Sequence, residues 1–250
     1  MARVMLDFTN PKQLTLGTFL GMGAPMAAEI AAVGGTDWVL LDLEHGGGSE
    51  DLIGPTVVAG MAYGIPTLVR VESPDRIRIG RALDAGASGV MVPRIETAEQ
   101  VLDVVAHMSY PPFGDRGVAT YNRSAKWGRD LSGLTEKSKA ACIIQIETLK
   151  ALENVEDIAK IDGVDLLFVG PLDLSFALGT PRDFKSPKFV EATARVIAAA
   201  KANNKVAGIL AADAALAEIF IEQGFKFIAF GSDATLLAGA ISNLVTQLKK

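Results

Sequence analysis

Only one cysteine, Cys142, occurs among the 250 residues, which excludes an internal disulfide and fits a reducing compartment. No apolar run is long enough to span a bilayer, and the opening stretch MARVMLDFTNPKQ contains nothing of signal-peptide length. An excess of positive charge is missing too. The formal net charge is −5, which gives no support for nucleic-acid binding. Histidines number two, His45 and His107, so a structural zinc cluster of cysteines and histidines is not expected. What is present is 49% hydrophobic and 21% charged residues, the composition of a globular protein able to bury a substantial core. The expectation is a cytoplasmic enzyme or small-molecule binder with no nucleic-acid and no membrane partner.

Short runs rich in branched residues recur along the chain, at 15–20, 38–42, 67–71, 89–93, 142–147, 166–170, 206–210 and 227–231. Most are apolar throughout, which suggests strands buried on both faces, as in a parallel sheet. Ala-rich stretches of helical length lie between most of them, for example PMAAEIAAVGG, TLKALENVEDIAKI and FVEATARVIAAAKANN. Several end near Gly or Asn, the usual stop signals. Eight strands alternating with helices match a single (β/α)8 TIM barrel over 1–250 in count and size. A doubly wound sheet is the runner-up, though it rarely needs eight such regular units. The one long interruption, 109–138, exceeds an ordinary connection and is expected to serve function or assembly.

In such barrels the chemistry sits at the C-terminal ends of the strands. Those ends carry Asp42, Glu44 and His45, then Arg70, Pro93-Arg94, Glu147, Asp173 and Gly231-Ser232-Asp233. Strand starts carry Asp37, Asp165, Lys205 and Lys226, read as ordinary solvent-side charges. Gln145 and Glu147 share one side of their strand because side chains alternate with period two. Glu147 and Asp173 have a structural reading, as an acid at a helix N-terminus and the cap of the short helix LSFALG. Their functional reading is two carboxylates converging on a hard divalent cation, which typically takes one or two carboxylates and leaves positions for water and substrate. Arg70 lies inside an apolar strand, where it needs a partner or a cavity; it fits either an ion pair or the stabilisation of a developing oxyanion. Either Asp42 or Glu44 could orient the His45 imidazole, against a structural histidine in a glycine-rich turn.

Six motifs, DWVLLDLEHGGGS, LVRV, GASGVMVPRIETAEQ, YPPFGDRGVA, IIQIET and DLLFVGPLDLSFALG, together resemble the metal-dependent (class II) pyruvate aldolases of the HpcH/HpaI aldolase/citrate lyase family. The likeness runs from about residue 14 to the C-terminus, with the motifs in family order. It implies a phosphoenolpyruvate/pyruvate-type barrel in which Glu147 and Asp173 hold a divalent metal (Mg²⁺, Mn²⁺ or Co²⁺). By the same resemblance Arg70 contacts the keto or enolate oxygen, and His45 with Asp42 behind it forms an acid–base dyad. Gly170, Pro171 and Leu172 receive the pyruvate carboxylate, and Gln145 lines the cavity. Asp84 completes a neighbouring subunit's site in a homo-oligomer, a trimer or hexamer, whose C-terminal helix is exchanged between subunits. Leu172 stands where the family often has a smaller or polar residue, which leaves the donor less defined than the metal site.

The implied reaction joins or splits a 2-oxo acid and an aldehyde. An imine mechanism would need a desolvated lysine in the barrel, and the strand runs contain none. Rival readings are a citrate-synthase-like condensation, an acyl-CoA lyase, or a non-catalytic binder on the same scaffold. Arg116, Arg123 and Arg129 of the long segment fit either subunit contacts or recognition of a second carboxylate on the aldehyde.

Overall fold

A computed structural model of the chain describes residues 4–8, 10 and 12–249. Its core is a closed barrel of eight parallel strands in sequential order. They are β1 (Thr15–Leu20), β2 (Trp38–Asp42), β3 (Thr67–Arg70), β4 (Gly89–Val92), β5 (Ala141–Ile146), β6 (Leu166–Val169), β7 (Val206–Ala211) and β8 (Phe227–Ser232). The observed strands match the expected runs to within a residue at either end. At Val71, Pro93, Glu147 and Gly170 the chain leaves the ladder one residue early, where it turns over the mouth of the barrel.

Period two explains what lines the interior. In β2, Trp38 and Leu40 face inward, and Val39 and Leu41 pack outward against helices. The same alternation sends Leu68 of β3, Met91 of β4, Ala141 and Ile143 of β5, and Leu166 and Phe168 of β6 inward. Extending each inward row toward the C-terminal end reaches Asp42, Arg70, Gln145, Glu147 and Gly170. Polar groups thus occupy the top layer of rows whose lower layers are apolar.

Among the described residues ten α-helices surround the barrel. They are α1 (Met26–Val33), α2 (Ile53–Ala62), α3 (Arg76–Asp84), α4 (Ala98–Met108), α5 (Leu149–Glu153), α6 (Val155–Lys160), α7 (Pro171–Ala177), α8 (Pro187–Ala202), α9 (Ala214–Gln223) and α10 (Asp233–Leu248). One expected helix, over TLKALENVEDIAKI, is divided at Asn154, whose side-chain amide donates to the Glu96 carbonyl at 2.8 Å. Helix α10 differs from the rest. None of its described residues is buried, although Leu236, Leu237, Ile241, Leu244 and Val245 lie along it.

The segment 109–138 holds only two short 3₁₀ turns, Lys126–Gly128 and Ser132–Thr135. It runs from the end of α4 to the start of β5, so both its ends lie at the N-terminal end of the barrel, opposite the mouth. Two aspartates at that end do more than face solvent. Asp37 accepts the Leu16 N–H and Asp165 the Cys142 N–H, each at 2.8 Å, which satisfies strand donors that would otherwise lack partners. Among the described residues no helix is long and apolar enough to cross a membrane.

Candidate active site

The site begins with strand register. Asp42 and Arg70 are direct neighbours on β2 and β3, and both face inward. The guanidinium therefore donates to both carboxylate oxygens of Asp42, Nε to Oδ1 at 2.8 Å and Nη2 to Oδ2 at 2.7 Å. Glu44 adds its Oε2 3.0 Å from Arg70 Nη1. Arg70 itself is buried, and its ring-side neighbour is Phe19, 5.1 Å from the guanidinium carbon. Burial alone would lower the Arg70 pKa, but the hydrogen bond and charges of Asp42, with Glu44 and Glu147, raise it. Burial likewise pushes the Asp42 carboxyl up, and the Arg70 guanidinium outweighs it, holding the group below its ordinary range. The pair is ionised and fixed in one geometry.

The stretch DLEHGGG forms a tight loop over this pair. Asp42 Oδ1 accepts the backbone N–H of Glu44 at 3.1 Å and of His45 at 3.3 Å. Gly46 must be glycine here, because a Cβ would lie 2.2 Å from the Asp42 carbonyl oxygen. The loop lifts the His45 side chain to the rim, where it is 68% exposed with Nε2 3.8 Å from Glu44 Oε2. The expected dyad is thus rearranged. Asp42 gives its carboxylate to Arg70 and only backbone contacts to His45; the acid beside the imidazole is Glu44. Sequence spacing could not choose between these acids, because the choice follows from which strand neighbour each one faces.

Glu147 sits on the opposite wall, buried at the end of the β5 row. Its Oε1 accepts the Arg94 N–H at 2.8 Å, and its Oε2 accepts from the Gln145 amide. Burial pushes its carboxyl up, the Arg94 N–H opposes that, and the negative charges of Asp173 and Glu44 push it further up. Gly170 provides the space: a Cβ there would stand 2.7 Å from Glu147 Oε2 and 2.9 Å from Gln145 Nε2. Asp173 lies in the first turn of α7, whose N-cap is Gly170 with no side-chain cap bond. Asp173 is therefore an acid of the first helical turn and not the cap of α7. Thr148, not Glu147, caps α5. Two buried oxygens, Gln145 Oε1 on this wall and Glu44 Oε2 beside Arg70, have no aligned hydrogen-bond donor.

Pro171 is buried at the first position of α7 and Leu172 is exposed beside it. The N–H groups of such a first turn have no intrahelical acceptor. Asp84 is elsewhere. It ends α3 at the N-terminal end of the barrel, where Arg116 donates to it and Tyr110 stacks 4.5 Å from the Arg116 guanidinium. Within one chain Asp84 does not meet the mouth, and neither does the long segment that follows Tyr110. Arg116 is committed to Asp84, and Arg123 lies over Trp127 at 5.1 Å; neither reads a substrate bound in its own barrel.

A family model for HpcH/HpaI aldolase/citrate lyase matches residues 15–240. The chain belongs to that family. A 2-keto-3-deoxy-L-rhamnonate aldolase from Klebsiella pneumoniae is 37% identical, covering 94% of this chain and 88% of that one. A 4-hydroxy-2-oxo-heptane-1,7-dioate aldolase from Salmonella arizonae is 36% identical over 99% of this chain and 95% of its own length. The crystal structure of an HpcH/HpaI aldolase/citrate lyase family protein from Burkholderia cenocepacia superposes with a TM-score of 0.91 at 34% identity, covering 97% of both chains. This HpcH/HpaI protein is thus an aldolase-type carbon–carbon lyase of the class II pyruvate aldolase group that its motifs resemble, built on the expected barrel. The residue that motif reading underweighted is Glu44. Its signal was position: two residues beyond Asp42, it follows the same inward parity.

Proposed function

We propose that this chain, as a single (β/α)8 domain, reversibly cleaves 4-hydroxy-2-oxo acids to pyruvate, or a related 2-oxo acid, and an aldehyde. The observation that carries the reading is a buried Glu147 beside the charges of Asp173 and Glu44, across the mouth from a buried, fully charged Arg70. Carboxylates so placed call for a cation. Their oxygens are hard donors suited to Mg²⁺, Mn²⁺ or Co²⁺, and the unpartnered Gln145 Oε1 adds a polar group on the same wall. Among the described residues no group of three or more His, Cys, Asp or Glu side chains is placed to hold a metal ion; the proposed site uses two carboxylates, and Mg²⁺ typically takes one or two. Glu147 and Asp173 would hold the ion, which when bound supplies Lewis-acid polarisation of a 2-oxo group.

The chain's own groups account for the remaining chemistry. The backbone around Gly170, Pro171 and Leu172 receives the carboxylate of the 2-oxo acid. Arg70, held rigid by Asp42, shares the charge that develops on the keto oxygen as the enolate forms. His45 takes the proton from the C4 hydroxyl in the cleavage direction and returns it in synthesis, with Glu44 beside the imidazole. The C3–C4 bond then breaks to release the aldehyde. No lysine is buried among the described residues, so the barrel offers no desolvated amine for an imine.

Assembly as a homo-oligomer, a trimer or hexamer, suits the apolar length of α10 left on the surface. Exchange of this helix, and the approach of Asp84 to a neighbour's mouth, belong to the same proposal, as does a cytoplasmic setting. The decisive experiment follows pyruvate release from a 4-hydroxy-2-oxo acid. EDTA should abolish it, and added Mg²⁺, Mn²⁺ or Co²⁺ should restore it. Borohydride with pyruvate should leave the protein unmodified; a trapped covalent adduct would overturn the metal reading.

A further inference from the structure

Strand β8 ends with a bulge against β1. Gly17 pairs with Ala229 but Phe19 pairs with Ser232, so β8 carries one more residue than β1 over this interval. Gly231, with φ 57°, lies within the bulge; glycine takes this left-handed backbone without the cost that a side chain brings. Bulges next to active sites commonly re-aim a side chain. Here the side chain is that of Asp233, the first residue of α10, which reaches the chain just beyond the end of β1.

Asp233 Oδ1 accepts the Gly21 N–H at 2.8 Å, and both its oxygens lie 3.3 Å from the Met22 nitrogen. The Met22 N–H and the Gly21 carbonyl belong to one peptide group. That carbonyl in turn accepts the Gly47 N–H at 2.8 Å. A continuous chain of hydrogen bonds thus runs from Asp233 through one peptide to Gly47, and bonds in series strengthen one another. Gly47 stands two residues beyond His45. On the other side the loop is tied to Asp42, whose Oδ1 accepts the Glu44 and His45 N–H groups. Between the two loops the contact is made by glycines. A Cβ on Gly46 would lie 3.3 Å from Gly21 Cα, and one on Gly23 3.0 Å from Gly48 Cα. Glycine leaves the backbone free to move, so the hydrogen bonds set where this loop sits.

We propose that Asp233 is a positioning residue for the acid–base step, fixing through Gly21 and Gly47 the loop that presents His45. The inference rests on His45 as the group that takes the C4 hydroxyl proton, and it adds the residue that sets its place. The imidazole has no close side-chain partner of its own: it is 68% exposed, with the Glu44 carboxylate 3.8 Å away. Its position is inherited from its backbone. The hydrogen bonds of Asp233 go to Gly21, Met22 and Ala234, none of them a group proposed to hold metal or substrate. Its loss should therefore fall on kcat.

The test follows pyruvate release from a 4-hydroxy-2-oxo acid by the full-length protein with Mn²⁺. Asp233→Ala should lower kcat by roughly 10- to 100-fold, the scale of a small misplacement of a reacting group, with KM and calorimetric Mn²⁺ affinity within about twofold of wild type. Asp233→Asn, which keeps one acceptor oxygen, should recover most of the loss. His45→Ala supplies the discriminating background. There Asp233→Ala should change kcat by no more than about twofold, because residues that act as a unit are not additive. Asp233→Glu keeps a carboxylate at the start of α10 but displaces it by one methylene, and it carries the same cycle if the alanine variant does not fold. An undiminished kcat would overturn the proposal, as would an equal loss with and without His45, or a loss of Mn²⁺ affinity. Wild-type kcat in His45→Ala would instead overturn the acid–base reading, and the positioning role with it.

Discussion

The two ends of this barrel are built from the same strands and do opposite work. At the N-terminal end the inward rows are aromatic. Trp38 stacks on Phe227 at 4.0 Å and 11°, Phe168 meets Phe227 edge-on at 6.4 Å, and Phe8 of the N-terminal segment lies 6.5 Å from Phe227. Four residues further along β2 the row ends in Asp42, and six further along β5 from Ala141 it ends in Glu147. The lower layers bury apolar area, the dominant favourable term in folding. The upper layer spends some of that stability to hold Arg70 and Glu147 away from water. Because one alternation serves both layers, the packed end fixes where the charged end points.

Glu147→Gln sharpens that contrast most. It should lower metal-dependent turnover by at least about 10³-fold, the scale expected when a principal electrostatic group is lost. Its effect on the metal-free fold should have the other sign. Burial first, then the charges of Asp173 and Glu44, raise the folded Glu147 pKa above its ordinary 4.5. Stability contributed below pH 4.5 is therefore lost as pH rises through the raised value. Thermal melts in EDTA at pH 7 should place Glu147→Gln a few degrees above wild type, with the difference vanishing in acid. A lower melting temperature at neutral pH would show that the ionised carboxylate stabilises the site.

Trp38→Ala tests the other end. Deleting this fully buried side chain should cost about 3–5 kcal/mol in urea unfolding, with kcat of the remaining folded enzyme nearly unchanged. A large fall in kcat would break the division of labour between the ends. Gly170→Ala is the smallest effect and lies on the border. Its Cβ would meet Glu147 Oε2 and Gln145 Nε2, so calorimetric metal affinity should weaken by about tenfold, as when supporting contacts of metal ligands are lost. Unaltered affinity would mean that the Glu147 carboxylate has room to shift.

Much of this was legible in the sequence. All eight strands were, because branched apolar runs between Ala-rich segments leave few other architectures. The polar residues at strand ends were also legible as a group, since a barrel of parallel strands puts every C-terminus on one side. The partner of each was not. Asp42 read equally well as a brace for His45, and only the register that sets it beside Arg70 decided otherwise. Arg94 was legible as one of the strand-end polar residues but its left-handed backbone, φ 54°, was not, because a positive φ in a non-glycine leaves no mark in composition or spacing. Asp84 and Arg116 are 32 positions apart, and no local pattern joins them. The arginines of the long segment fitted subunit contacts or substrate recognition alike; helices run antiparallel to the strands, so a loop from α4 to β5 lies at the floor, away from the mouth of its own barrel.

The sequence alone determined the period, and with it which side chains face the barrel axis, because alternation is a property of the extended backbone. Tertiary structure decided the pairs: which acid meets which base depends on stagger between strands and on the space glycine leaves, and both are set only when the sheet closes.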